Sequence, residues 1–275
     1  MSRQGPLRQC AIAISTSDSP DMPALGLSDE HLRDAMTEIA RHLLALDGRL
    51  VYGGDLRAHG FSELLFELVA RYGPDADEGG DRTAVTNYLA WPVHIQMTPD
   101  DLQRLSSDIA GSAELVCLAM DGRRLTPKGR QRLAQRQPTK AEWAKGLTAM
   151  RRVMCRETYA RIVLGGRVDQ YEGVMPGIAE EALLSLKVCQ PLFLMGGFGG
   201  CARDIAETLG LVAPWGASHP AWPRRPEFKA FAASDVNNGL TAEENSTLAR
   251  TPHVDQAITL ILRGLLQISR RRSDE

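Results

Sequence analysis

The chain has 275 residues and a formal net charge of -2, and 43% of its residues are hydrophobic. A chain of this length can bury a substantial core, either as one large α/β domain or as two small ones. The near-zero net charge leaves no broad basic field, which argues against a general nucleic-acid-binding protein.

Residue usage also indicates a compartment. The five cysteines are scattered and form no C-x-x-C pair, as expected for free thiols in a reducing cytoplasm. The N-terminal residues are polar and show no secretory signal. No stretch approaches the ~20 apolar residues that a membrane helix needs. We therefore expect a cytoplasmic protein that has neither a membrane nor a nucleic acid as its partner.

The N-terminal part alternates between strand and helix patterns. Cys10–Ser15 is a short apolar run that ends in polar residues, typical of a buried strand entering a loop. Ser28 begins a helix, followed by a second strand at Arg49–Tyr52. The glycine pair Gly53-Gly54 ends this strand, and Phe61–Val69 has a helical pattern.

The middle of the chain contains two further strand patterns. Val85–Ile95 has strand-type residues interrupted by a proline, and Glu114–Leu118 is another short strand. Thr98 caps a helix between them. Asp121–Gln137 is rich in Arg, Lys and Gln, which predicts an exposed loop or insertion. Thr139 and Glu142 form a capping box that begins a long helix.

The C-terminal part contains the strongest strand–glycine–helix pattern. The apolar runs Arg161–Leu164 and Pro191–Met195 each end in glycines and lead into an amphipathic segment. Pro214–Pro226 is an irregular connector, and two helices follow it, capped by Thr241 and Thr251. The last helix carries one apolar stripe, which consists of Val254, Ile258, Ile261, Leu265 and Ile268.

Strands that alternate with helices predict an α/β fold, a Rossmann-like parallel sheet flanked by helices with the C-terminal helices packed on it. We expect a nucleotide-binding core over residues 1–213. Residues 214–275, which hold the connector and the C-terminal helices, are expected to belong to the same domain.

Ligands of open α/β sheets bind beyond the carboxyl ends of the strands, where the glycine loops converge. Glycine lets the backbone approach a ligand closely, and the first turn of a helix favours an anion. The stretch from Gly197 to Ala202 matches G-x-G-x-x-A, between a strand and a helix. Its glycines fit either phosphate contact or tight strand-to-helix packing, and the pattern leaves both open.

The loop from Gly165 to Gly177 is long for such a connection, which favours a functional role. Arg167 can pair with a phosphate or a carboxylate, and Tyr171 offers a stacking face. Glu180 and Glu181 follow in the first helical turn, suited to ribose hydroxyls, to acid–base chemistry or simply to the helix dipole. The expected ligand-binding residues are Ser15, Thr16, Ser17, Gly53, Gly54, Asp55, Arg57, Gly165, Gly166, Arg167, Tyr171, Gly177, Gly196, Gly197, Phe198, Gly199 and Gly200.

Other chemical signatures are absent from the sequence. There is no metal-ligand spacing, no nucleophile elbow and no Walker A motif, so neither a metal nor another required cofactor is expected beyond a nucleotide ligand. Of the six histidines, only His59 and His94 are expected near the strand ends.

Four segments together resemble the SLOG superfamily, in particular the branch found in the N-terminal region of TRPM channels and in prokaryotic relatives. They are ISTSDSP, VYGGDLR, LGGRVDQYEGVMPGIAEEA and PLFLMGGFGG, within Cys10 to Gly210. The resemblance implies a Rossmann-like fold that binds nucleotide-derived ligands such as ADP-ribose and its cyclic forms, including in bacterial anti-phage systems.

The Gly177–Glu181 segment is also similar to the P-G-G-x-G-T-x-x-E signature of the Lonely Guy phosphoribohydrolases, which cleave the N-glycosidic bond of nucleotide monophosphates. This similarity implies that Glu181, with Glu180 beside it, takes the catalytic position and that Arg151 or Arg152 takes that of the family's helix arginine. Ile178 replaces the motif's threonine, Leu164 replaces its leading proline, and extra residues intervene.

Three functions remain open at this point. The first is a sensor for an ADP-ribose-like or NAD-derived nucleotide, whose output lies in a separate effector protein or another part of a longer chain. The second is an N-glycoside hydrolase of the phosphoribohydrolase or NAD glycohydrolase type, because oxocarbenium-like transition states need a nearby carboxylate. The third is a homo-oligomeric scaffold whose C-terminal stripe packs against a partner subunit.

Overall fold

The computed structural model of the protein describes residues 5–8, 10–54, 56, 60–72, 83–111, 113–215 and 222–273. Within these ranges one parallel sheet of six strands forms the centre of the fold, in the order β4-β3-β2-β1-β5-β6. The strands are β1 (Ala11–Ser17), β2 (Arg49–Tyr52), β3 (Val85–Leu89), β4 (Ala113–Cys117), β5 (Ala160–Gly165) and β6 (Leu192–Met195).

Helices follow the strands and cover both faces of the sheet. They are α1 (Asp29–Ala45), α2 (Phe61–Tyr72), α3 (Trp91–His94), α4 (Pro99–Asp108), α5 (Pro127–Gln131), α6 (Lys140–Glu157), α7 (Gly177–Lys187), α8 (Gly200–Thr208), α9 (Ala242–Arg250) and α10 (Val254–Ser273). This arrangement confirms the predicted Rossmann-like α/β fold with C-terminal helices packed on it.

The alternation of side chains along β1 assigns the two faces. Ile12 and Ile14 point to one face, where they join a core built with α1, α2 and α10. Ala11 points to the opposite face, where α6 packs with Val51 and Tyr88. The helices α7 and α8 extend this second layer over β5 and β6. Successive side chains of a strand face opposite sides, so each strand contributes to both cores.

The sheet has a switch point between β1 and β5. From β1 the chain builds outward through β2 and β3 to β4, and α6 then returns it to the other side of β1, where β5 pairs in parallel from Ile12–Ala160 to Ser17–Gly165. The carboxyl ends of β1 and β5 therefore lie side by side, with connections that leave in opposite directions. Open α/β sheets bind their ligands at such a point.

Two short helices were not predicted from the sequence. The Val85–Ile95 pattern is a strand only to Leu89, and α3 begins at Trp91 with Pro92 in its first turn. Proline is tolerated there because a first-turn N–H has no helical partner. The stretch Asp121–Gln137 contains α5 as well.

The predicted exposed loop or insertion is exposed at most of its positions, but not at Arg130. This side chain is buried and donates to the carbonyl oxygens of His94 at 2.5 Å and Met97 at 2.7 Å. The segment thus packs on the residues that follow β3, because one guanidinium satisfies two backbone acceptors there.

The C-terminal stripe belongs to the core. Ile258, Ile261 and Leu265 are buried together with residues of α1 and with Phe193 of β6. The apolar face of α10 is therefore buried within the chain. The scaffold hypothesis was based on this apolar stripe being available to a partner subunit, and the stripe no longer supports it. Throughout the described ranges, no helix has both the length and the apolar composition needed to cross a membrane.

Candidate functional site

A glycine turn closes the switch point at the end of β5. Gly165 and Gly166 have φ angles of 63° and 107°, which side-chain-bearing residues rarely adopt. A Cβ on Gly165 would lie 2.7 Å from the carbonyl oxygen of Ser17. Two hydrogen bonds fix the turn to β1. The backbone N–H of Gly166 donates to the carbonyl oxygen of Ser17 at 2.9 Å, and the backbone N–H of Arg167 donates to the Ser17 hydroxyl at 3.2 Å.

Arg167 lies at the solvent-exposed edge of the switch point, called the rim below. Its guanidinium pairs with Asp18, and the two side chains are 43% and 50% exposed. An ion pair with this much solvent contact contributes little stability and rearranges readily. Arg167, predicted to bind an anion, therefore belongs to an exposed ion pair. An incoming anion can compete with Asp18 for its guanidinium.

A buried ion network lies behind the rim, between α6, β5 and α7. Arg151 of α6 donates to Glu180, which also accepts from the hydroxyl of Thr148 at 2.5 Å. The Nε of Arg151 lies 3.6 Å from Oε1 of Glu181. Both glutamates are buried. Arg151 thus links the two carboxylates of the first turns of α7.

Arg161 of β5 holds the second glutamate from the opposite side. Its side chain has 0% exposure, and its Nη1 donates to Glu181 at 2.6 Å and to Ser15 Oγ at 2.7 Å. Ser15 in turn donates to Glu181, and Arg161 Nε reaches Ser185 at 3.1 Å. Two arginines and two glutamates balance in charge, so the network is neutral as a whole.

The sequence similarity left open whether Arg151 or Arg152 takes the position of the helix arginine. Arg151 contacts the glutamates, and Arg152 is exposed. Ser15, predicted as a ligand contact, is committed to Glu181 and Arg161. Thr16 has a buried hydroxyl with no hydrogen-bond partner, and Tyr171 is partly buried in the loop before α7.

At the N-terminus of α7, the N-cap residue provides no side-chain hydrogen bond. This residue is Pro176, and a Cβ on Gly177 would lie 2.7 Å from Nη2 of Arg151, so the helix begins directly against the guanidinium. The backbone N–H of Ala179 donates to the thiol of Cys201. Burial raises the pKa of this thiol far above its ordinary value, so it stays protonated and is not a nucleophile.

The N-terminus of α8 is occupied by a carboxylate of the chain itself. The backbone N–H of Gly200 donates to Oδ2 of Asp21 at 2.6 Å, and Asp21 is buried. Gly199 has a φ of 71°, and a Cβ on it would lie 2.5 Å from the Cβ of Asp21. Close approach of this side chain therefore accounts for the glycine at position 199.

Gly196, just before the G-x-G-x-x-A stretch, and Gly197, its first residue, meet the C-terminal segment. A Cβ on Gly196 would lie 2.5 Å from the carbonyl oxygen of Ala249, and one on Gly197 would overlap that of Thr251. Phe198 is buried in the main core. Of the two interpretations left open by the sequence, tight packing explains these three positions.

The glycine pair after β2 also packs against protein. Gly53 faces the methionine side chains at positions 150 and 154 of α6, and Gly54 faces Tyr52 and Ser62. The contacts expected of Asp55, Arg57 and His59 lie outside the described residues.

His94 follows β3, and its buried ring is within 2.8 Å of the Leu118 carbonyl oxygen through Nε2. Burial lowers the pKa of His94 to about 4, and the charge of Arg130 adds to this, although the Leu118 carbonyl opposes it. The ring is neutral at pH 7 and serves packing.

One surface cleft lies away from these residues, at the carboxyl end of α8. It measures about 780 Å³ and contains none of the predicted site residues. Its lining is formed by Glu207, Thr208, Pro214, Trp222, Pro223, Arg224, Arg225, Pro226 and Lys229. Among the residues that the structure describes, no group of three or more His, Cys, Asp or Glu side chains is placed to hold a metal ion.

Sequence reasoning missed several members of the site, among them Arg161, Asp18 and Asp21. Of these, only Arg161 could have been found from the sequence. It is an arginine within an apolar strand, and a charge in a buried strand needs a buried partner. Asp18 and Asp21 carry no local signal, since their partners lie 149 and 179 residues away.

The parallel sheet, the helices on both faces and the glycine turn at the switch point define a Rossmann-like α/β protein. A family model described as SLOG cluster2 matches residues 6–248, so the chain belongs to this SLOG family. The match ends within α9 and thus precedes α10. No curated protein matches the chain.

Proposed function

We propose that the protein binds a nucleotide-derived ligand in the switch-point crevice, with a phosphate at the N-terminus of α7. The observation that carries the proposal is the start of this helix, whose N-cap residue provides no side-chain hydrogen bond and which lies against the guanidinium of Arg151. Helix N-termini favour anions through their N–H groups and dipole. Membership of the SLOG family is consistent with a nucleotide-related function.

The glutamates of α7 do not oppose this placement. Free carboxylates in a first turn would repel a phosphate, but Glu180 and Glu181 are engaged by Arg151 and Arg161. Because the network is neutral, the helix dipole and the exposed Arg167 at the rim remain to attract the anion. Tyr171, in the same loop, is only partly buried and offers an aromatic face.

Calorimetric titration with ADP-ribose, cyclic ADP-ribose, NAD and AMP tests the proposal. We expect at least one of them to bind, and Arg167→Ala to weaken that binding about tenfold or more, the usual contribution of a charge-assisted hydrogen bond. Arg104→Ala, which removes an exposed arginine of α4, is the matched control. The site assignment is wrong if both variants bind every ligand as the unaltered protein does.

A second candidate is hydrolysis of an N-glycosidic bond by the same site. The observation that favours it is the arrangement of Glu181, whose carboxylate is oriented by Arg161, Ser15 and Arg151. An oriented carboxylate can stabilise an oxocarbenium-like transition state.

Chromatography of the nucleotide after incubation distinguishes the two functions. An enzyme releases free base with ribose phosphate, or nicotinamide with ADP-ribose, whereas a sensor returns its ligand intact. Glu181→Gln should abolish turnover and spare binding. Glu180→Gln, which removes the neighbouring buried carboxylate, is the control for the loss of one charge from the network. Turnover retained by Glu181→Gln would remove this residue from the mechanism.

A further inference from the structure

The cleft at the carboxyl end of α8 has the size and the lining of a small-molecule site. Its volume of about 780 Å³ lies within the roughly 300–1,000 Å³ that is usual for such sites. The lining includes three proline rings and one indole, those of Pro214, Pro223, Pro226 and Trp222. These rigid rings lose little conformational entropy when a ligand covers them, so the lining favours an apolar body.

Trp222 is a fixed wall of this cleft. Its side chain is buried, and its Nε1 donates to Oδ2 of Asp204 at 2.8 Å. The ring also lies edge-on to that of Phe228, with 6.0 Å between the two centroids. Because both contacts hold the indole from within the protein, the wall is in place before a ligand arrives, which lowers the cost of binding.

The charged side chains of the lining carry an excess of positive charge. One of them, Glu207, is acidic, and three are basic, namely Arg224, Arg225 and Lys229. The ion pairs behind the lining leave this balance unchanged, because they add two acids and two bases, namely Asp204, Glu227, Arg203 and Lys187. The cleft therefore favours an anion over a cation.

The basic side chains differ in how far the fold already uses them. Arg225 donates to Thr208 Oγ1 at 3.2 Å and lies 3.3 Å from Oδ1 of Asp204. It thus serves the carboxyl end of α8, which carries a partial negative charge. Lys229 is exposed, and no carboxylate of the described residues pairs with it. The ammonium group of Lys229 is therefore available to a ligand.

Arg224 has a backbone conformation that stability does not explain. Its φ of 67° and ψ of 2° lie in the left-handed region, which glycine adopts at lower cost than arginine. Its guanidinium pairs with Glu227, but the two side chains are 39% and 36% exposed, so the pair contributes little. Glu227 is also shared with Lys187 at 3.1 Å. Backbone strain of this kind is typical of residues that serve a ligand.

We propose that this cleft is a second binding site, for a small organic anion with an aromatic body. The rings of the lining contact the body, and Arg224 and Lys229 bind its charged group, which is a carboxylate, a sulfonate or a phosphate. The site shares no residue with the switch point, so this inference is independent of the proposed function.

Two fluorescent molecules test the ligand class, because they share one aromatic body and differ in charge. Anilinonaphthalene sulfonate carries the anion, and N-phenyl-naphthylamine lacks it. We expect one sulfonate molecule to bind per chain, about tenfold or more tightly than the uncharged amine, the usual contribution of a charge-assisted hydrogen bond. Absence of saturable binding, or equal affinity for the two molecules, would overturn the proposal.

Competition separates this cleft from the switch point. Excess AMP or ADP-ribose should leave the sulfonate bound, since the proposed function assigns both nucleotides to the switch point. Displacement by either nucleotide would locate the sulfonate there and overturn the second site. If neither nucleotide binds the protein at all, the proposed function fails and this inference still stands on the variants below.

Substitutions then locate the charged group. Arg224→Gln and Lys229→Gln should each lower the affinity for the sulfonate about tenfold or more and leave that for the amine unchanged. The matched control is Arg41→Gln, which removes an exposed arginine that is likewise paired with a glutamate three residues away, Glu38. Undiminished affinity in both cleft variants, or an equal loss in Arg41→Gln, would contradict the assignment.

Arg224→Gly distinguishes a ligand contact from a structural role. Glycine suits the left-handed backbone, so this variant should lose affinity for the sulfonate as Arg224→Gln does, while its melting temperature is unchanged or raised. A clearly lower melting temperature in both Arg224 variants would assign the guanidinium to the fold and overturn its role in binding.

Discussion

At the scale of single residues, the most consequential side chain is Arg161. A fully buried guanidinium is costly to desolvate unless its partners are well placed, and here Glu181, Ser15 and Ser185 surround it. These partners come from β1 and α7, so Arg161 connects the strands of the switch point to the helix of the candidate site. Its burial ties the stability of the fold to the geometry of Glu181.

Arg161→Met should destabilise the protein by about 3–5 kcal/mol, because it leaves the buried Glu181 with a weakened set of partners. Urea unfolding followed by circular dichroism measures the loss. The double variant with Glu181→Gln should lose less than the sum of the two single variants, since the unpaired charge is then removed as well. A loss below about 1 kcal/mol for Arg161→Met would show that the network contributes little.

His94 predicts a pH dependence of stability. Its folded-state pKa is lowered to about 4, against the ordinary 6.5, so the unfolded chain binds a proton that the folded one excludes between these values. This contribution to stability is fully present above pH 6.5 and is lost as the pH falls towards 4, up to about 3 kcal/mol.

Unfolding of the protein and of His94→Gln at pH 7 and pH 4.5 isolates this effect, since all other titrating groups are common to both chains. The amide nitrogen of glutamine can still donate to Leu118. We expect the variant to lose less stability on acidification, and an identical loss in both chains would exclude His94 as the cause.

At the scale of elements, the junction of β6 and α8 depends on the segment between α9 and α10. Gly197→Ala should destabilise the protein by ~2–3 kcal/mol, because the new methyl group overlaps the backbone of Thr251 and backbone cannot move aside as a side chain can. Gly129→Ala is the control, since a Cβ there meets only the Thr126 hydroxyl, at 3.1 Å. Thermal unfolding compares the two, and equal effects would argue against the steric explanation.

The same junction illustrates what the sequence could predict. The strands and long helices follow from local apolar patterns and caps, as with Thr139 and Glu142 at the start of α6. The reason for the glycines at positions 196 and 197 could not be predicted, because their neighbours lie more than 50 residues later in the chain. The alternation of strands and helices predicts a ligand site at the carboxyl ends of the strands. The hydrogen bond between Gly200 and Asp21 could not be predicted, because it depends on tertiary packing between residues far apart in the chain.

At the scale of the whole molecule, α10 completes the core although the family match ends before it. A chain that ends at residue 250 should fail to unfold cooperatively, since it exposes the face of α1 that Ile258, Ile261 and Leu265 cover. Loss of one such side chain to alanine costs about 2–5 kcal/mol, and three together rival the usual stability of a domain. Thermal circular dichroism and limited proteolysis test this expectation. A chain that ends at residue 273 is the control, and comparable melting of both chains would make α10 dispensable.

The pairing of β1 with β5 also has a consequence for biosynthesis. β1 leaves the ribosome before the rest of the sheet, yet one of its two neighbours, and the helix that carries Glu181, follow about 150 residues later. At ordinary elongation rates of about 5–20 residues per second, that edge of β1 waits roughly 8–30 s for its partner. Closing so long a loop is entropically costly and slow, so the switch point between β1 and β5 forms late. Until it forms, the strands that are already synthesised are the part most exposed to mispairing and to binding by chaperones.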